Sequence, residues 1–80
     1  MEKRLGAALV LIEEDGNINR INEIISQHAD MVLGRQGIPL RDRRINVISL
    51  VFEGNTDQIG SLTGKLGRLK GVRVKSLLAG

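Results

Sequence analysis

The sequence predicts an α+β domain in which a four-stranded antiparallel sheet carries two helices on one face. Three observations lead there. Two apolar runs alternate on both faces, two other segments space their apolar residues as helices do, and turn residues separate the pieces in the order β-α-β-β-α-β. In the first run, from Leu5, the residues Leu5, Ala7, Leu9 and Leu11 point one way while Ala8, Val10 and Ile12 point the other. In the second, RINVISLVFEG from Arg44, Ile45, Val47 and Val51 oppose Ile48, Leu50 and Phe52. A strand with one wet face alternates apolar with polar, whereas a strand buried on both sides is continuously apolar. Two helices cover one face of such a sheet. The other face is expected to meet a second copy or another protein.

Each element has its own signal. Asp15-Gly16 ends the first strand and Asn17 stands as a helix N-cap. Ile18, Ile21, Ile24 and Ile25 then share one helical face, opposite Asn19, Arg20, Asn22, Glu23 and Gln27. MVLGRQGIPL follows, broken by Gly34, Gly37 and Pro39. Proline donates no ladder hydrogen bond, so this strand belongs at a sheet edge or carries a bulge. Arg41–Arg44 is a charged connection into the strand that ends at Glu53-Gly54. Asn55 or Thr56 caps the second helix, and Asp57 suits its positive end. Ile59, Leu62, Leu66 and Leu69 form its apolar stripe, with Gly71 where a helix terminus favours glycine. VRVKSLL closes the chain as a strand in which Val72 and Val74 alternate with Arg73 and Lys75. Right-handed crossovers in both β-α-β halves give a ferredoxin-like split sheet. The halves align loosely, LVLIEEDGNINRI against SLVFEGNTDQI.

Eighty residues make one domain, 1–80, near the lower limit of what folds without a metal, disulfide or partner. A 41% hydrophobic content is ordinary for a folded chain. With no cysteine there is no disulfide, no thiolate nucleophile and no cysteine-held iron–sulfur cluster. Lys3 and Arg4 ahead of an apolar run imitate a leader peptide. However, Glu13, Glu14 and Asp15 follow at once without a small-residue cleavage pattern, and the run is too short for a bilayer. A cytoplasmic protein without membrane contact is expected.

Charge divides unevenly: residues 1–30 carry three basic and six acidic side chains, and residues 31–80 nine basic and three acidic. Such asymmetry marks an anion-binding surface or only a solvated one. Phe52 is the sole aromatic, so stacking platforms for single-stranded nucleic acid are absent. Arg41, Arg43 and Arg44 alone give weak grounds for direct nucleic-acid binding, which is not expected.

The motifs of catalysis are missing. Gly60–Lys65 imitates a phosphate-binding loop, but only three residues separate its glycines and Leu66 follows the lysine. His28 is the one histidine; it suits the negative end of the first helix better than a metal site, and no cofactor is expected. Ser49, Ser61 and Thr63 have no base near them in sequence. An enzyme is not expected. Gly60, Gly64, Gly67 and Gly71 fall in a second stripe on the second helix, at roughly 100° per residue. Each interior glycine costs about 1 kcal/mol of helix propensity relative to alanine. The stripe marks either a closely approached face or simply a weak helix.

GRQGIP (Gly34–Pro39), RINVISLVFEG (Arg44–Gly54) and TDQIGSLTGKLGRLKGVRVKS (Thr56–Ser76) together resemble the small ACT-like regulators of the iron-only hydrogenase system. The resemblance covers nearly the whole chain and implies a ferredoxin-like fold similar to the ligand-binding domain of the nickel-responsive repressor. Two features of that repressor are missing from these residues: its ribbon-helix-helix segment and its nickel-holding histidines and cysteine. DNA recognition and nickel sensing are therefore not carried over. The resemblance implies a regulatory module, a homodimer or homotetramer through the open sheet face, that binds a small effector between subunits. The candidate surface joins Gly34, Arg35, Gly37 and Pro39 to Gly60, Thr63, Gly64 and Lys65, with Arg35 as a fork for an anionic group. The alternative is an interaction adaptor without a small ligand, whose glycine groove and basic half dock an acidic protein partner of the hydrogenase system.

Overall fold

In a computed structural model describing residues 2–79, burial splits the sheet into two unlike faces. The strands are β1 (Arg4–Ile12), β2 (Val32–Leu40), β3 (Ile45–Gly54) and β4 (Val72–Leu78), and the helices α1 (Ile18–Gln27) and α2 (Thr56–Gly67). Strand order is β2-β3-β1-β4, all pairs antiparallel, which is the ferredoxin-like arrangement predicted. Under the helices, Ala8, Val10 and Ile12 of β1 and Ile48, Leu50 and Phe52 of β3 are buried. They pack with Ile21, Ile24 and Ile25 of α1 and with Ile59, Leu62 and Leu66 of α2. Ile18 departs from the expected stripe: it opens α1 ahead of the core and is 41% exposed.

The helix ends are fixed locally. The Asn17 side chain accepts from the Arg20 amide at 3.1 Å. Of the two candidate caps for α2, Asn55 is the one used, and it forms a reciprocal box with Gln58. This satisfies two amides that the helix start leaves without partners. Pro39 lies in β2, an edge strand, and the β2–β3 register shifts between Val32 and Gly34, so both allowances for the proline-bearing strand are met. The charged connection folds as a short 3-10 turn over Arg41–Arg43, and Arg44 takes a left-handed backbone, φ 56°.

Gly71 does not belong to the α2 glycine stripe. It lies beyond the helix in the turn into β4, with φ +72°. A methyl group there would collide with Asp15 and come within 2.9 Å of the Gly16 amide nitrogen. The same methyl on Gly60, Gly64 or Gly67 meets nothing within 4 Å. One substitution should therefore act with opposite signs at two sites. Gly71→Ala should destabilise the chain by at least the roughly 1–2 kcal/mol of a left-handed alanine. Gly64→Ala should stabilise it by up to about 1 kcal/mol. Urea unfolding of the two variants checks both signs.

Candidate functional site

The face turned away from the helices presents apolar side chains from all four strands, most continuously on β1 and β3. Register places Gly34, Val51, Ala7 and Leu77 in one row, Gln36, Ser49, Leu9 and Lys75 in the next, and Ile38, Val47, Leu11 and Arg73 in a third. Leu9 is 49% exposed, Val51 42% and Leu77 71%. The second apolar face of β1 and β3 is thus present and uncovered in the single chain. Its charged residues in these rows, Lys75 and Arg73, sit on the β4 margin. A shallow depression of about 280 Å³ lies on this face, lined by Ala7, Leu9, Ser49, Lys75 and Leu77 among others.

The predicted site residues fall into two groups at opposite edges of the sheet. Gly34, Arg35, Gly37 and Pro39 lie on β2, at one edge. Arg35 reaches toward α1 and donates from Nη2 to Asn22 Oδ1 at 2.8 Å, leaving other guanidinium N–H groups for an anion. Gly60, Thr63, Gly64 and Lys65 lie on α2, which packs nearest β4 at the other edge. Thr63 and Gly64 line a groove of about 490 Å³ between α2 and β4, while the Thr63 hydroxyl donates to the Ile59 carbonyl. Strand order separates the two groups, so one chain does not bring them together.

His28 ends α1 as expected, and it also has a partner that sequence proximity could not reveal. Nδ1 lies 2.7 Å from the Ile24 carbonyl oxygen and Nε2 3.1 Å from Ser61 Oγ. A carbonyl only accepts, so Nδ1 donates to it, and in the neutral imidazole Nε2 then accepts from the Ser61 hydroxyl. This is the connectivity of a nucleophile and its base, but the amides flanking Ser61 belong to the helix ladder and none is free to hold an oxyanion. The pair pins α1 to α2.

Glu13, Glu14 and Asp15 form a clasp at one end of the sheet. Arg73 approaches Glu13 at 3.8 Å, Arg44 approaches Glu14 at 3.7 Å and Lys70 approaches Asp15 at 3.9 Å. All six side chains are more than half exposed, so each pair contributes at most about 1 kcal/mol. Together they tie the turn after β1 to the starts of β3 and β4. Among the described residues, no three His, Asp or Glu side chains gather as a metal-holding group. No helix among them is long and apolar enough to cross a membrane.

Comparison with known proteins follows this geometry closely. The sequence model of the TM1266-like family, described as "Iron-only hydrogenase system regulator, putative", matches residues 4–76. The solved structure of the uncharacterized protein TM1266 from Thermotoga maritima is 34% identical, with a TM-score of 0.93 over 99% of this chain and 100% of that one. The C-terminal domain of the MgtC protein from Mycobacterium tuberculosis has a TM-score of 0.69 at 14% identity, covering 95% of this chain and 87% of that one. At that identity it shares the fold alone. No protein of curated function matches the chain. On the strength of the sequence match and the TM1266 superposition, the chain belongs to the TM1266-like family, the iron-only hydrogenase system regulators.

Proposed function

We propose that this chain is a non-catalytic regulatory module that assembles through its open sheet face and holds a small anionic effector where copies meet. The observation that carries the proposal is the apolar second face of β1 and β3, exposed in the single chain. Apolar faces of this kind in water mark interaction sites, and two sheets stack by interdigitating such faces with their strands within about 30°. A second copy is the occupant that fits the charge pattern. A two-fold axis parallel to the strands lays β4 of one copy over β2 of the other. Arg73 and Lys75 then face Gln36 and Ile38 rather than their own like-charged counterparts.

The stack lays the β2 edge of one copy, with Gly34–Pro39, over the β4 edge of its partner. Arg35 and α2 lie on the helix-bearing side of each sheet, so they flank this junction from outside instead of facing one another across it. Arg35 offers a planar fork for a carboxylate or phosphate and Lys65 a mobile point charge. The glycines of α2 leave room beside them. Loss or gain of such an effector would change the assembly presented to a protein partner of the hydrogenase system.

Light scattering of the purified chain should give a dimer or tetramer at micromolar concentration. Val51→Lys, which places a charge in the middle of the open face, should shift the mass to the monomer while circular dichroism keeps its α/β signature. A wild-type chain that is monomeric at those concentrations would remove the assembly reading. A thermal-shift series with amino acids, carboxylates and nucleotides tests the effector. A ligand at 100 times its Kd stabilises the folded state by about 2.7 kcal/mol, and uniformly flat melting temperatures would leave the adaptor reading in its place.

A further inference from the structure

The outer edge of β4 combines free backbone groups, an open helix flank and an excess of basic side chains. The Glu13 amide donates to the Gly71 carbonyl at 2.8 Å, and the Ala79 amide donates to the Leu5 carbonyl at 2.7 Å. These bonds bracket the β1–β4 ladder and fix its alternation. Residues 73, 75 and 77 therefore bond to β1, while Val72, Val74, Ser76 and Leu78 aim their N–H and C=O groups away from the sheet. Among the described residues only the first of these amides is engaged, with Val72 donating to the Leu69 carbonyl at 3.3 Å. Beside this edge runs the groove walled by Thr63, Gly64 and Gly67. No acidic side chain follows Asp57, whereas Lys65, Arg68, Lys70, Arg73 and Lys75 all lie in this part of the chain. Lys65, Arg68 and Lys75 make no ion pair among the described residues, and the pairs of Lys70 and Arg73 are long and exposed.

We propose that β4 is a docking edge for an extended acidic segment of a partner protein, which adds to the sheet as a fifth, antiparallel strand. Strand addition takes its affinity from main-chain hydrogen bonds and its specificity from alternate side chains. Val74 and Ser76 supply the hydrogen-bonded positions. Arg73 and Lys75 then fall in the non-hydrogen-bonded pairs, where opposed side chains approach most closely. The fitting segment carries carboxylates at alternate positions, facing Arg73 and Lys75, with small residues between them lying over Gly64 and Gly67.

The other edge is unsuited to this. Pro39 deletes a donor from β2 and the Val32–Gly34 shift breaks its register. A second copy is unsuited as well. Pairing β4 with itself opposes Arg73 and Lys75 to like charges, and β2 carries no acid. The inference does not rest on assembly through the open face, since a monomer has the same edge.

The test uses the full chain and a blocked, fluorescein-labelled nine-residue peptide of alternating threonine and glutamate. The expected result is saturable binding by anisotropy, with slowed hydrogen exchange at the Val74 and Ser76 amides. Arg73→Glu with Lys75→Glu should weaken binding at least tenfold. Ser76→Pro removes one outward N–H without touching the β1 ladder, and should weaken it comparably while light scattering reports unchanged assembly. A peptide of the same composition with its glutamates in one block should bind at least tenfold more weakly. Absence of binding, equal binding of the block peptide, or wild-type affinity in Ser76→Pro would each overturn strand addition. Stronger protection of the same amides by oligothymidylate of equal charge would overturn it in favour of a nucleic-acid surface.

Discussion

The structure depends on one mismatch between supply and need of apolar cover. β1 and β3 are central strands with apolar side chains on both faces, and the chain provides two helices, both on the same side. That side closes completely around Val10, Leu50, Phe52, Leu62 and Leu66. On the other side Leu9, Val51 and Leu77 stand in water. Changing these residues to polar ones would cost the helix-side core nothing, because each points away from it. The contact proposed outside the single chain would account for their apolar character.

Topology keeps three surfaces of the domain apart, so the roles proposed for them are separable. The helix layer holds the fold together, and His28 with Ser61 pins its two members. The open face is suited to sheet stacking. The β4 edge, flanked by a helix whose glycines leave space, is suited to a strand. The TM1266-like match spans the strands and helices that build all three surfaces, so membership constrains the scaffold as a whole. Basic side chains concentrate along the margin from Lys65 to Lys75.

Most of the fold was legible because its determinants are local. Asn17 and Asn55 cap the helices they immediately precede, Gly71 supplies the turn that follows α2, and Pro39 assigns β2 to an edge through its own missing donor. Two-face alternation in β1 and β3 was equally plain. What sequence could not supply was non-local. Ser61 meets His28 across 33 positions, so inspection of sequence neighbours found it no base. The family resemblance joins the Gly34–Pro39 strand and the Gly60–Lys65 stretch of α2 into one candidate surface. Strand order places those segments on opposite edges, and Gly71 left the glycine stripe because α2 stops at Gly67.

Coverage of the open face by a second copy can be read by methyl-labelled NMR with a soluble paramagnetic agent over a range of protein concentrations. Relaxation of the Leu9, Val51 and Leu77 methyls is expected to fall toward that of buried Leu50 and Leu62 as concentration rises. Leu33, exposed at the β2 bulge, should stay accessible throughout. Leu9, Val51 and Leu77 methyls as accessible as those of Leu33 at every concentration would contradict it.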